Sequence, residues 1–466
     1  MPAAVSCASV SPCHLRHDTK SPPVPDEIFC SGGVPTVAAF PAAKAQFKEE
    51  GAHRMTPFSQ SASRALRVAL FGAGGYGSTH ARILGEDHAA GRVKFVAVAD
   101  PTGDKLPELK SRLAASGVRW FDDYRELLDR LAGHLDAIVI CTPIPLHLPM
   151  LEAALDHGLA VLLEKPPVPL IQDFLRINAR PEARRVAVAF QRIAEPNLWT
   201  LQRALRDGSL GRIERLAATA CWPRNDAYYG RAGWAGRMVW NDMPVLDGPA
   251  TNALAHIIHH LMFLAGDDGT RFAMPESLRA ELYRARPIET YDLVSLRGQW
   301  ASGVGFSAAF THACANEVDW SIVVEGDRGR ARLGPGLLAF ETDPPLPSAP
   351  GDDDALPRAC WDDFYYFATG AQSRPLTSFA DCHAYLATAN AMFLSSGRIH
   401  TLPSSIVRRN SAGVCEVSGI EDLIAATART GKTFSELGAE WALPGCPVNP
   451  RDVTEFSPAD GCAGER

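Results

Sequence analysis

The sequence predicts an α/β architecture: a doubly wound parallel sheet, then an α+β domain with a mostly antiparallel, open-faced sheet. Three observations predict it. From Leu66 to Phe190, short continuous apolar runs alternate with helix-compatible segments. Strands that are apolar on both faces belong in a parallel sheet covered by helices on each side. The first run passes through a glycine-rich turn into a helix. After Gln191 the rhythm changes, and strand candidates follow one another without intervening helices. That pattern reads as an antiparallel sheet. The expected domains are 65–190 and 191–444, with 1–64 as a disordered extension and 445–466 as a loose tail.

Residues 1–64 show no persistent period and are rich in Ser, Pro, Ala and Gly. They lack the charged and apolar regions of a secretory signal, and Met55 is the expected functional start. Leu66–Phe71 is the first strand, Ser78–Glu86 a helix and Phe95–Ala99 the second strand. Helices are expected over Leu106–Ala115, Asp123–Leu131 and His147–His157. Strands are expected over Val118–Phe121, Ala137–Cys141, Ala160–Leu163 and Arg185–Phe190. In the second domain Leu198–Arg206 reads as a helix, Ile213–Ala220 as a strand and Asn252–Ala265 as a long helix. Strands follow over Ala280–Tyr283, Tyr291–Leu296, Ser302–Ala309, Asp319–Glu325 and Arg330–Leu333. Asp343–Asp354 is Pro- and Asp-rich and reads as a loop; Trp361–Gly370 and Ser378–Gly397 read as helices.

The turn Gly72-Ala73-Gly74-Gly75-Tyr76-Gly77 carries the G-x-G-x-x-G spacing between a strand and a helix. Gly72 permits the tight turn, Gly74 leaves room for a pyrophosphate, and Gly77 lets helix and strand approach. The helix N-terminus favours phosphate. Asp100 lies 23 residues past Gly77, where a carboxylate meets an adenosine ribose. This makes the first domain Rossmann-type. A carboxylate there suits the diol of NAD and repels the 2′-phosphate of NADP, so NAD is expected, with NADP as the alternative. Gly72, Asp100, Thr142 and Glu164-Lys165 all fall at carboxyl ends of strands, where ligands bind in such sheets.

Among 466 residues, 46% are hydrophobic and 21% charged, as in an ordinary globular protein. A net charge of −7 argues against a nucleic-acid or anionic-membrane surface. No apolar run has the length to span a bilayer. The 11 cysteines are scattered and none forms C-x-x-C, which reads as reduced thiols in the cytosol. No metal site is expected: His256, His259 and His260 share a segment without a placed carboxylate or Cys.

Several motifs together resemble the Gfo/Idh/MocA oxidoreductases, named for glucose–fructose oxidoreductase, inositol dehydrogenase and MocA. They are the turn Leu70–Gly77 with His80, Cys141-Thr142-Pro143 with His147, Glu164-Lys165-Pro166, Val188-Ala189-Phe190 into Gln191-Arg192, and Gly211-Arg212-Ile213. The resemblance covers about 66–445. One departure is visible. The family presents an Asp and, four residues on, a His; here Asn252 stands in the Asp place and His256 keeps its own.

The resemblance implies an NAD(P)-dependent dehydrogenase or reductase acting on a sugar, sugar acid or cyclitol. It implies Lys165 and His256 as proton-handling residues, with Glu164 orienting Lys165. Hydride transfer needs a base for the hydroxyl proton, and burial lowers a lysine toward that role. Gly72, Gly74, Gly75, Tyr76, Gly77, Asp100, Thr142, Pro143, His147, Glu164 and Lys165 are the expected cofactor contacts. Asn252 and His256 are expected to bind substrate hydroxyls. Trp222, Arg224, Tyr229, Arg231 and Trp234 crowd one loop; aromatic faces suit sugar C–H faces, and Arg suits a carboxylate or phosphate. A homodimer or homotetramer is implied, with one face of the second sheet buried against another subunit. Two other readings are an NAD-dependent glycosidase working by transient oxidation and a non-catalytic dinucleotide- or sugar-binding sensor.

Overall fold

Apolar runs set the first sheet. In the computed structural model, which describes residues 64–459 except 268, 344, 345 and 347–350, they become β1 (Leu66–Phe71), β2 (Val93–Ala99), β3 (Arg119–Phe121), β4 (Ala137–Ile140), β5 (Ala160–Glu164) and β6 (Val186–Ala189). The helices between them are α1 (Gly77–Ala89), α2 (Pro107–Ala115), α3 (Tyr124–Leu131), α4 (His147–Asp156) and α5 (Ile171–Asn178). The six strands run parallel in the order β3-β2-β1-β4-β5-β6. The order reverses between β1 and β4, and the crevice at that switch point is where ligands bind in such sheets. The strand interiors are buried: Val68, Leu70, Ile138 and Val139 are fully covered.

The second half opens with α6 (Pro196–Arg206), β7 (Ile213–Cys221), α7 (Asp226–Gly230), β8 (Val239–Trp240) and β9 (Met243–Pro244). A π-helical turn over Pro249–Ala253 leads into α8 (Ala255–Leu264). Then come β10 (Ser277–Arg284), β11 (Leu293–Gln299), β12 (Gly305–Thr311), β13 (Val318–Gly326), β14 (Gly329–Gly334) and β15 (Leu337–Thr342). The chain ends with α9 (Leu356–Ala368), α10 (His383–Ser396), β16 (Ile399–Thr401), β17 (Val407–Arg409), β18 (Cys415–Val417) and α11 (Ile420–Thr430). Eight strands form one sheet in the order β15-β14-β13-β7-β12-β11-β10-β16. The pairs β12–β7 and β10–β16 are parallel, and the others are antiparallel. One face carries Ala218, Leu282, Val294 and Phe310 in the core shared with α8 and α10.

Four sequence expectations need correction. The expected helix from Asn252 is broken: its first turn is π-helical, because Gly248-Pro249 enters from an extended backbone and Leu254 N–H reaches back to Pro249 O. The expected span 191–444 is not confined to the second sheet. Helix α9 returns to the first sheet, burying Cys360, Trp361 and Phe364 with Val68, Leu70 and Val98. Residues 445–459 are not loose: Val448 pairs with Leu278, Cys446 N–H bonds Ser395 O, and Val453 and Phe456 are buried. Their apolar residues are irregularly spaced, so only docking orders them. The second sheet is not open over its whole outer face. Cys221, Tyr283, Leu293 and Ala309 on that face pack against Ile420, Ile424 and Phe434 of the same chain. The expectations for 1–63 and for 460–466 lie outside the described residues, as do 344, 345 and 347–350 in the Asp343–Asp354 loop. Among the described residues no helix is long and apolar enough to cross a membrane.

Candidate active site

The glycine turn closes the end of β1. Gly72 has φ +83°, and a Cβ there would lie 2.2 Å from the Cys141 carbonyl oxygen at the end of β4. A Cβ on Gly77 would lie 2.2 Å from Gly72 O. These two glycines let the turn, α1 and β4 meet. A Cβ on Gly74 would make only ordinary contacts, at 3.8 Å and 3.9 Å, and one on Gly75 would meet nothing within 4 Å, so the turn is open there. The N–H groups of Gly77, Ser78 and Thr79 bond back to the carbonyls of Gly74, Gly75 and Tyr76. Tyr76 is exposed, its ring edge-on to His80 at 5.4 Å. The open cradle at the switch point, with a helix N-terminus behind it, fits a dinucleotide pyrophosphate.

Asp100 is buried, and both of its oxygens are engaged. Oδ2 accepts from Ala73 N–H at 2.8 Å and Gly74 N–H at 3.1 Å. Oδ1 accepts from Thr102 N–H at 2.8 Å and Thr102 Oγ1 at 2.6 Å. Burial works to raise its pKa, but the bonds from Thr102, Ala73 and Gly74 outweigh it and hold the carboxyl below its usual range. The acid therefore braces the glycine turn as an anion; a ribose diol would share these contacts rather than find a free carboxylate.

The ends of β4 and β5 are tied together by His147. Its Nδ1 lies 2.8 Å from Pro166 O and its Nε2 2.9 Å from Thr142 O, and the ring is buried. Burial pushes its pKa down, so the neutral ring has one N–H to donate. Both ring nitrogens face backbone carbonyls, so the side chain braces the ends of the two strands. Thr142 Oγ1 points to Met150 Sδ at 3.4 Å. Glu164 accepts from His80 Nε2 at 3.0 Å, with the ring nitrogen as donor, and from Lys165 N–H at 3.1 Å.

Lys165 crosses from the first sheet to the second half of the molecule. Its Nζ donates to Asn252 O at 2.8 Å and to Asn252 Oδ1 at 3.3 Å. Burial lowers its pKa, while Glu164, Asp247 and Cys141 oppose that fall and Arg231 adds to it. Asn252 Nδ2 donates to Asp247 Oδ1 at 2.8 Å, and Gly236 N–H donates to Asp247 Oδ2 at 2.7 Å. Sequence reasoning missed Asp247. It lies five positions before Asn252, and the π-helical turn between them brings the two side chains together.

His256 is buried beside Phe190, ring centroids 5.5 Å apart and edge-on. Burial, then Lys165 and Arg192, hold its pKa well below the ordinary range, so the imidazole is neutral. His259 stacks on Phe190 at 4.0 Å, and His260 faces Trp320 at 6.0 Å. Nearby Arg192 bonds Asp353 at 2.7 Å, and Glu195 is buried with neither carboxyl oxygen hydrogen-bonded.

The aromatic loop divides into two sets. The Arg231 guanidinium lies over Tyr228 at 3.7 Å and Trp234 at 4.7 Å, and the Arg224 guanidinium over Tyr228 at 5.1 Å and Trp222 at 5.4 Å. Arg231 also reaches Asp247 at 3.9 Å, which connects this set to Lys165. Tyr229 instead turns inward, its hydroxyl 3.3 Å from His312 Nδ1 and its ring under Arg286 at 4.4 Å. Tyr228, not Tyr229, lies between the Arg224 and Arg231 guanidinium groups. Spacing could not separate adjacent tyrosines.

Residues 66–190 match the family model described as oxidoreductase family, NAD-binding Rossmann fold. The chain is 36% identical to inositol 2-dehydrogenase 4 of Saccharopolyspora erythraea over 154 residues, covering 32% of this chain and 44% of that protein. That alignment spans less than half of the relative's length. A longer alignment, 25% identical, covers 67% of this chain and 87% of inositol 2-dehydrogenase from Rhizobium meliloti. Among solved structures, the WlbA dehydrogenase from Chromobacterium violaceum, determined with NADH and UDP-GlcNAcA, superposes with a TM-score of 0.61 at 24% identity. The superposition covers 73% of this chain and 96% of that one, and supports the shared fold.

Proposed function

Because residues 66–190 match the NAD-binding domain model of the Gfo/Idh/MocA oxidoreductases, we propose that the chain is a member of that family and an NAD-dependent dehydrogenase or reductase. Its substrate is a small polyol: a sugar, sugar acid or cyclitol. The observation that carries this reading is the Lys165 ammonium, delivered from the end of β5 across the cleft to Asn252. NAD, when bound, supplies the hydride acceptor. Gly74 and Gly75 leave the space for its pyrophosphate, and Thr142 and Pro143 line the end of β4 beside the same crevice.

Lys165 polarises the substrate oxygen or takes its proton. Its lowered pKa suits both roles, since a base works best when its pKa lies near the working pH. Asn252 orients the ammonium and binds a hydroxyl. His256, neutral at working pH, accepts or donates a hydrogen bond to a second hydroxyl. Trp222, Arg224, Arg231 and Trp234 bind the rest of the substrate.

The test is reduction of NAD on a panel of inositols, aldoses and sugar acids, followed by nicotinamide absorbance. Lys165→Ala should lower kcat by about 10²–10⁴-fold while NAD binding stays intact. Full turnover in that variant would rule the assignment out.

A further inference from the structure

We infer that Asp247 sets the pose and proton affinity of Lys165 through the side-chain amide of Asn252. It is a positioning residue, one amide removed from the group that meets the substrate. The inference rests on the reading of Lys165 given above, but its geometry stands apart from any substrate.

A buried carboxylate is costly unless its lone pairs are met. Asp247 is 3% exposed, and its two oxygens are met by Gly236 N–H and by Asn252 Nδ2, with Arg231 at 3.9 Å. The segment is shaped to hold it. Leu246 adopts φ +54°, and a Cβ on Gly248 would lie 2.5 Å from the Tyr291 ring. The carboxylate in turn decides which way the amide of Asn252 points. Its NH₂ must face the carboxylate and its oxygen the ammonium. The flipped amide would set NH₂ against Nζ and oxygen against oxygen. Lys165 therefore reads the charge of Asp247 through one polarised group.

The other charged and titratable groups around Lys165 do not replace this link. Glu164 favours the ammonium but is already engaged by His80 and by the Lys165 amide. Cys141 lies at the end of β4 and His147 beneath it; the thiol is pushed well up by burial and the imidazole down, so both are neutral. His256 is neutral as well, and Arg231 opposes the ammonium. Asp247 is the carboxylate that joins Lys165 from the second half of the chain.

The experiment needs no substrate. The full chain is labelled with trace acetic anhydride across a pH series, and acetylation at Lys165 is read by mass spectrometry. Exposed Lys94 and Lys105 serve as internal standards. In Asp247→Asn the Lys165 labelling midpoint should fall by about one pH unit, so labelling below the midpoint rises up to about tenfold. In Asp247→Asn with Asn252→Asp, the carboxylate moves onto the ammonium, and the midpoint should return to or above the wild-type value. If Asp247→Asn does not fold, Asp247→Ser removes the charge, keeps an oxygen near Gly236, and should show the same fall. An unchanged midpoint in the folded charge-removed variant, or no recovery in the double variant, overturns the inference. These readings are separate from the enzyme assignment. If labelling shifts as stated but Lys165→Ala keeps full turnover, the coupling stands and the catalytic role falls.

Discussion

An amide at position 252 takes no proton, yet it sits where the two halves of the chain meet most closely in chemistry. Lys165 holds its carbonyl and side-chain oxygens, and Asp247 holds its nitrogen. Residue identity at 252 thus matters for orientation more than for charge. Glu195 shows the opposite case, a charge without partners. Burial, reinforced by Asp353 and opposed by Arg192, raises its pKa from 4.5 to about 7. A folded-state value above the unfolded one makes the folded form bind the proton more tightly. Stability is then full below the unfolded value and declines as pH rises through about 7. Glu195→Gln keeps the shape without the charge. It should match the wild type near pH 4 and exceed it near pH 8 by about 1–3 kcal/mol. Denaturant melts at the two pH values measure this; a variant no more stable at the higher pH would contradict it.

At the level of elements, the reach of the C-terminal segments is the unexpected feature. Helix α9 packs on the first sheet and is tied to α1 by a buried bond from Trp361 Nε1 to Asp87 at 2.8 Å. Arg358 Nη2 bonds the same carboxylate at 2.6 Å. Farther on, Phe456 stacks on Phe393 at 5.2 Å, and Val448 pairs with Leu278 in β10. Burying a large apolar side chain contributes about 1.5–3 kcal/mol. A chain ending at Pro444 loses Val448, Val453 and Phe456 together, so about 3–6 kcal/mol should go, read as a lower denaturation midpoint. A midpoint equal to that of the full chain would show that the segment adds nothing. The helix α11, with Phe434, covers part of the sheet face that the family resemblance assigns to another subunit.

For the whole molecule, ligand binding is linked to stability. Any ligand that binds the folded chain alone raises its apparent stability by mass action. NAD at about 100 times its Kd should add about 2.7 kcal/mol, seen as a higher Tm. NADP at equal concentration should shift Tm less, because Asp100 stays anionic and repels a 2′-phosphate. Equal shifts would assign the discrimination to other residues.

What the sequence alone determined was the first sheet, its glycine turn and the position of Lys165 at a strand end. Those follow from local patterns: apolar runs of strand length, glycines at fixed spacing, and an acid at the next strand's end. The second sheet was legible in outline, though β15, β16 and the elements after β16 were missed, the strands among them because short amphipathic strands resemble loops. Tertiary structure alone decided three matters: that Asp247 bonds the Asn252 amide that holds Lys165, that the His147 ring lies between two backbone carbonyls and the Tyr229 hydroxyl beside His312, and that α9 and α11 cover surfaces far along the chain. The reason is sequence distance. Lys165 and Asn252 lie 87 residues apart, and no periodicity within either segment encodes where the other will be.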